Sequence, residues 1–241
     1  VAPYDLDDLV ERIRMARRIT VLTGAGVSAA SGVPTFRGTG GLWKNFRAED
    51  LATPEAFGRN PRLVWEWYDW RRRLIAACKP NGAHEALARL TGRPGFILVT
   101  QNVDGLHERA GSRDIVRLHG SIWTLRCVSG CCEPWEDRTV PLVDLPVKCR
   151  RCGALARPGV VWFGEPLDEE VLRRAKNAAD CDLFLTVGTS STVYPAAGLV
   201  HAAKLHGAWT VEVNPASTEA TRELDVVIAA PAEDVLPRVI G

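Results

Sequence analysis

The chain has 241 residues, enough for one large domain or one domain with a smaller lobe, and its 46% hydrophobic and 24% charged residues exclude disordered, collagen-like and fibrous classes. Thirty Lys and Arg nearly balance 29 Asp and Glu, and at a net charge of +1 there is no overall pull toward nucleic acid or a membrane surface. No apolar run reaches the roughly 18 residues that would span a bilayer.

Residues 5–18 predict a helix. Leu6, Leu9, Val10 and Ile13 share one stripe, with acids first and bases last as the helix dipole prefers. The first ten residues are acidic with no basic side chain, unlike the n-region of a signal peptide. The run ITVLT, ending in glycines, reads as a buried strand feeding a tight turn. Similar runs at 96–100, 183–187, 209–213 and 226–229 predict further strands, with helices at 196–206 and 219–223 between the last three. Strands alternating with helices predict an α/β fold with a doubly wound parallel sheet of Rossmann type. Two stretches break that rhythm: the Trp- and Arg-rich 39–79 and the cysteine-rich 127–161. Both are expected to leave the sheet and build a smaller lobe. The expected division is 1–38, 80–123 and 162–241 for the large domain, with 39–79 and 124–161 for the small one.

Gly24-Ala25-Gly26-Val27-Ser28-Ala29 fits G-x-G-x-x-A after a strand. Glycines allow a sharp turn and close approach of a pyrophosphate, and a following helix points N–H groups at the anion. A dehydrogenase would add a second strand ending in an acid about 20 residues on. Here Glu49 and Asp50 sit inside the Trp-rich insertion, so the hydride-transfer layout is absent. Residues 31–38 extend the turn into a loop, where Arg37 suits a phosphate and Phe36 could cover a reactive ring; an ordinary surface loop is the alternative.

Gln101, Asn102 and Asp104 follow the strand at 96–100, where open α/β sheets bind ligands. Two amides and a carboxylate there can grip ribose hydroxyls and a carboxamide, although Asp104 alone could serve as a helix N-cap. His107 is read as structural, as are His84, His201 and His206, which lie on helical stretches without polar company. His119, beside Gly120 at the end of an apolar segment, is the candidate general base.

Four of the seven cysteines fall within 127–149 and Cys152 follows, a clustered odd count that fits a metal site in a reducing compartment better than a disulfide framework. Cys149-x-x-Cys152-Gly is a clean knuckle. Its partner is Cys127 with Cys131 or Cys132; Cys131 is preferred because Cys132 stands where a knuckle glycine belongs. Four thiolates with no open position make a structural zinc site.

These motifs, with LHGS at 118–121, VWFGE at 161–165, VGTSS at 187–191 and VNP at 213–215, occur in the order of a sirtuin. The chain resembles the NAD-dependent protein-lysine deacylases from about Ile19 to Leu236. The resemblance implies that NAD and an acylated lysine on a protein substrate meet in a cleft between the two lobes. It places Gly24, Ala25, Gly26, Ser28, Thr35, Phe36 and Arg37 along the NAD site, and Gln101, Asn102 and Asp104 on the nicotinamide ribose and carboxamide. It puts Gly188, Thr189 and Ser190 on the phosphates and ribose, and Asn214, Pro215, Ala216 and Ala232 on the adenosine. His119 matches the catalytic histidine, and Phe163, Gly164 and Glu165 the segment beside which substrate backbone adds as a strand.

Thr35 replaces the Asp of most members and matches the subclass that removes acidic acyl groups. That subclass also carries a Tyr and an Arg three apart, here Tyr68 and Arg71, and a small residue at the position of Ala52. Residues three apart share a helix face, and a phenol with a guanidinium makes a carboxylate receptor. The implied reaction yields free lysine, nicotinamide and 2′-O-acyl-ADP-ribose, for succinyl, malonyl and also acetyl groups, in the cytosol. A protein ADP-ribosyltransferase on the same fold and a non-catalytic NAD sensor are the alternatives.

Overall fold

The computed structural model describes residues 6–35 and 43–241. In chain order, helix α1 (Leu6–Met15) leads into strand β1 (Ile19–Thr23), and α2 (Ala48–Leu51), α3 (Pro54–Arg59), α4 (Pro61–Ala77) and α5 (Gly82–Arg89) follow. Next come β2 (Phe96–Thr100), α6 (Leu106–Arg109), β3 (Val116–Arg117), β4 (Gly120–Cys127), β5 (Trp135–Glu136) and β6 (Ala156–Val160). The chain ends with α7 (Glu169–Ala178), β7 (Leu183–Val187), α8 (Ala197–Leu205), β8 (Trp209–Val213), β9 (Val226–Ile228) and α9 (Ala232–Val239). The helix expected at 219–223 is a turn, bonded by Thr218 and Thr221 hydroxyls to the Glu212 carboxylate (both 2.5 Å). Side-chain bonds to a neighbouring strand end have outcompeted helix formation there. Val10, placed on the buried stripe of α1, is 37% exposed, while Leu9 and Ile13 are buried. No helix among the described residues is long and apolar enough to cross a membrane.

The large sheet is parallel throughout, in the order β3-β2-β1-β7-β8-β9. Every residue of β1 and β7 is buried, as expected for central strands covered on both faces. Alternation sorts their side chains. Val21, Leu98, Leu185 and Val211 pack on one face with Leu9, Leu87 and Leu236 of α1, α5 and α9. Leu22, Val99 and Phe184 pack on the other with Ala175, Leu199 and Ala203 of α7 and α8.

The second sheet is small and antiparallel, in the order β5-β4-β6. It packs with α2–α4 through Trp65, Trp67, Leu125 and Trp162. Helix α4 is fixed to this sheet by polar contacts too. The fully buried Arg72 donates to Ile122 O (3.1 Å) and Asp137 Oδ1 (3.0 Å), and Asp69 accepts the Leu142 N–H (2.7 Å).

The chain passes directly from one sheet to the other at His119. Leu118 N–H donates to Thr100 O (2.9 Å), extending β3 along β2, and Val161 N–H donates to His119 O (3.0 Å), extending β6 along β4. Gly120 then turns with φ +76°, and any Cβ there would run into the Gly159 backbone. His119 is therefore locked between two hydrogen-bonded ladders.

The small lobe is stapled by its cysteines. The Sγ atoms of Cys127, Cys131, Cys149 and Cys152 all lie within 4.8 Å of one another. Cys127 lies 3.5 Å from Cys152 and 3.6 Å from Cys131, which is 3.6 Å from Cys149. Zinc–sulfur bonds of about 2.3 Å in a tetrahedron bring ligands to about 3.8 Å, so these four thiols fit one structural zinc. Cys132 is outside the mutually close set, although its sulfur lies 3.8 Å from that of Cys149. Cys131→Ser is expected to lose zinc and unfold the small lobe, and Cys132→Ser to retain one zinc per chain. Metal content and thermal melting of the two variants check this; zinc lost only with Cys132 would reverse the assignment.

Candidate active site

The sheet order reverses between β1 and β7, the switch point at which open α/β sheets bind ligands. Two loops meet there. Gly24 N–H donates to Val187 O (3.0 Å) and Gly26 N–H to Gly188 O (2.7 Å). A Cβ on Gly26 would lie 2.7 Å from the Gly188 carbonyl oxygen, so the G-x-G spacing is demanded first by one loop packing on the other. The helix expected after Gly24 is a seven-residue 3-10 helix, Ala25–Ser31.

A polar cluster fills the ends of these strands. Asn102 Nδ2 donates to Gly24 O (3.0 Å) and Ser28 Oγ (3.2 Å). Ser28 Oγ donates to Asp104 Oδ2 (2.8 Å), and the other Asp104 oxygen accepts the Leu106 N–H (2.8 Å). Burial raises the Asp104 pKa, with the Leu106 and Ser28 bonds opposing it. Across the switch point, Gln101 Nε2 donates to Thr189 Oγ1 (2.8 Å) and Asn214 Nδ2 to Thr189 O (3.3 Å). His84, expected to lack polar company, has it: its Nε2 lies 3.3 Å from Ser28 Oγ, and its ring lies 4.8 Å from that of His107. Its helix α5 packs directly beneath the loop carrying Ser28, a proximity that sequence spacing cannot reveal. Burial brings His84 to a pKa of about 3 and His107 to about 4, so both are uncharged at neutral pH.

Beside this cluster lies a cavity of about 350 Å³ between the lobes. Gly24, Ala25, Thr35, Gln101, Asn102, His119 and Thr189 line it from the large sheet, Ala52, Tyr68 and Arg71 from the small lobe, and Trp162 from the segment just after β6. A second cavity of about 120 Å³ adds Ser28 and Asp104 and shares Arg71, Gln101 and Asn102 with the first. His119 Nδ1 is 3.0 Å from Gln101 O. A carbonyl oxygen only accepts, so Nδ1 bears the proton and Nε2 keeps its lone pair. Burial lowers the His119 pKa from its usual 6.5, with the Gln101 carbonyl acting in the opposite sense. The result is a neutral imidazole with a basic nitrogen at neutral pH.

Tyr68 and Arg71 share a face of α4, as their spacing predicted, and both line the cavity. Tyr68 Oη accepts from Trp162 Nε1 (2.9 Å), and burial raises the phenol pKa, keeping it protonated. The Arg71 guanidinium carbon lies 4.9 Å from the centre of the Trp67 ring, and burial draws its pKa down against the pull of Tyr68 and Asp104. Ala52 is buried, and its carbonyl accepts the Phe163 N–H (2.9 Å).

Phe163, Gly164 and Glu165 all line the cavity, on a turn at 163–164. Gly164 has φ +84°, the Phe163 N–H is taken by Ala52, and the Glu165 N–H goes to Trp162 O (3.0 Å). The cause is the Glu165 carboxylate, which folds back onto Arg157 (2.5 and 2.8 Å) and the Trp162 N–H (2.8 Å). Phe163 itself is 49% exposed and lines the cavity.

Among the outer residues of the expected NAD site, Thr189 lines the cavity, whereas Gly188, Ser190, Asn214, Pro215, Ala216 and Ala232 do not. Pro215 and Ala216 are exposed beyond β8, while Ala232 is buried in the core at the start of α9. Phe36 and Arg37 lie outside the described residues. Trp67, Val103, Leu167, Val193 and Tyr194 also line the cavity and carried no signal in the sequence. Trp162 sits inside a recognised motif, but its indole donor role is visible only in three dimensions.

Residues 24–195 match the model of the Sir2 family. A protein of Aquifex aeolicus (strain VF5) named NAD-dependent protein deacylase is 52% identical over 223 residues, covering 92% of this chain and 93% of its own length. A Sir2 homologue solved as its NAD complex superposes with a TM-score of 0.91 at 44% identity, over 97% of this chain and 92% of its own. A mutant Sir2 homologue in complex with 2′-O-acetyl ADP ribose gives a TM-score of 0.91 at 43% identity, over 98% of this chain and 95% of its own. Matched by the family model over most of its length, and by relatives over nearly all of it, the chain belongs to the Sir2 family.

Proposed function

We propose that this chain removes acyl groups from protein lysines with NAD as co-substrate, releasing nicotinamide and 2′-O-acyl-ADP-ribose, and that it favours acyl groups ending in a carboxylate while also accepting acetyl. One observation carries this reading: a single cavity contains a neutral imidazole base, His119, together with a phenol and a guanidinium, Tyr68 and Arg71. The relative named as an NAD-dependent protein deacylase supports the activity. The neighbours' complexes with NAD and 2′-O-acetyl ADP ribose support the co-substrate and product.

NAD supplies an electrophilic ribose carbon with nicotinamide as its leaving group. Gln101, Asn102 and Asp104 hold the nicotinamide ribose and carboxamide, and Gly24, Ala25, Gly26, Ser28, Thr35, Phe36 and Arg37 complete that end of the site. Gly188, Thr189 and Ser190 meet the phosphates and ribose, and Asn214, Pro215, Ala216 and Ala232 surround the adenosine. His119 would accept a ribose hydroxyl proton at Nε2 while its Nδ1–H stays bonded to Gln101 O, freeing the ribose oxygen to bond the acyl carbon as the carbon–nitrogen bond to lysine breaks and the amine leaves. Phe36, outside the described residues, would shield the reacting carbon from water.

Ala52 leaves room for a longer acyl chain, and Tyr68 and Arg71 receive its terminal carboxylate. Such a carboxylate would form charge-assisted bonds and offset the desolvation of Arg71; acetyl offers no counterpart. The same reading divides the chain into a large unit of 1–38, 80–123 and 162–241 and a small one of 39–79 and 124–161. A reducing, cytosolic setting belongs to the same reading, on the ground that the clustered, odd cysteine count suits a metal site better than a disulfide framework.

Because burial depresses the His119 pKa, its base form persists below the usual imidazole range. Turnover per bound NAD is expected to stay level from alkaline pH down past about 6.5, and to fall only as pH drops through the lowered pKa. His119→Ala should lose about a hundred- to ten-thousand-fold in turnover while NAD still binds. A steady-state pH profile and calorimetric NAD titration check both; turnover near the wild-type rate in His119→Ala would remove His119 from the mechanism. Arg71→Met should lower kcat/KM on a succinyl-lysine peptide by about ten- to a hundredfold more than on its acetyl counterpart. Nicotinamide release from the two matched peptides measures this, and equal losses would take Arg71 out of the receptor.

A further inference from the structure

We propose that Trp162 is a positioning residue for acyl selectivity, its indole N–H fixing Tyr68 as a hydrogen-bond donor toward the acyl terminus. This rests on the reading that Tyr68 and Arg71 receive a carboxylate. An indole N–H can only donate. Trp162 Nε1 lies 2.9 Å from Tyr68 Oη and both residues are buried, so the phenol oxygen is the acceptor. The hydroxyl's own proton must then point elsewhere. Tyr68 lines the cavity, where an incoming carboxylate would accept that proton. Without the indole donor the hydroxyl could rotate and turn a lone pair toward the ligand, which attracts nothing from a carboxylate.

The indole is itself clamped. The Phe57 ring lies 5.2 Å from it between centroids, and the Arg157 guanidinium carbon is 3.4 Å from its ring centre. Arg157 is held in turn by the Glu165 carboxylate (2.5 and 2.8 Å) and by Val160 O (3.1 Å). Glu165 also accepts the Trp162 backbone N–H (2.8 Å), closing a ring of contacts about the indole. A cation over the indole face draws density from the ring and strengthens its N–H as a donor. The turn that closes the 163–165 segment thus acts through Trp162 on the proton of a residue on α4. A Phe at this position would keep the apolar contact with Phe57 and supply no donor.

The test is Trp162→Phe, assayed for kcat/KM on succinyl-lysine and acetyl-lysine peptides of one sequence. The succinyl-to-acetyl ratio should fall about tenfold, the worth of one hydrogen bond to a charged group, with the succinyl KM carrying the change. In a Tyr68→Phe background no hydroxyl remains to orient, and Trp162→Phe should then leave the ratio where Tyr68→Phe alone put it. An unmoved ratio in the single variant, or a further tenfold drop in the Tyr68→Phe background, overturns the proposal. Should Trp162→Phe not fold, benzothienylalanine incorporated at that position replaces the N–H by sulfur on the same ring frame and carries the same expectations. Arg71→Met separates the two levels. If it also leaves the ratio unmoved, the carboxylate receptor itself is wrong. If it lowers the ratio while Trp162→Phe does not, the receptor stands and only the role of Trp162 fails.

Discussion

His119 belongs to two sheets at once, and that constraint organises the site. The residue before it extends the parallel ladder to Thr100, and its own carbonyl closes the antiparallel ladder with Val161. Its side chain is tied to Gln101 O at 3.0 Å. The backbone at His119 cannot shift without breaking bonds in one lobe or the other, and such bonds are costly to leave unmade when buried. The same tie sets the tautomer, so position and chemistry come from one contact. A base fixed in this way needs no reorganisation when a proton is to be taken.

The surroundings are arranged to keep that base neutral and its neighbours directional. His84 and His107 sit uncharged beneath Ser28 and Thr23, adding polarity without adding charge. On the opposite wall, α4 presents Tyr68 and Arg71 to the cavity. An adjoining row of the same helix, Asp69 and Arg72, anchors it to the segment from Asp137 to Leu142. That segment lies between the two cysteine knuckles, so the cluster that fits zinc also holds the stretch against which α4 is registered. Truncating one side of the buried Arg72–Asp137 pair would leave its partner charge in a poor dielectric, a larger loss than the pair's own net worth.

Much of this was legible in the residues alone. The continuous apolar runs at 19–23, 96–100, 183–187 and 209–213 read correctly as buried parallel strands, because a strand covered on both faces has no polar side to show. The three-residue spacing of Tyr68 and Arg71 read correctly as one helix face, because helical periodicity is local. Other readings failed where a distant partner intervened. The 219–223 segment has helical composition, yet the Glu212 carboxylate on a neighbouring strand end captured Thr218 and Thr221. His84 looked isolated because Ser28 lies 56 positions earlier in the chain.

The sequence by itself determined the strand and helix periods, the cysteine spacing and the order of motifs that mark a Sir2 family member, since each depends on neighbours a few residues apart. The tertiary structure alone decided which hydrogen bonds the polar groups make: the tautomer of His119, the neutral state of the two buried histidines and the indole donor held against the Tyr68 oxygen. Those depend on burial and on partners brought close only by the packing of two lobes, and a proton's position follows its nearest acceptor in space, whatever the distance along the chain.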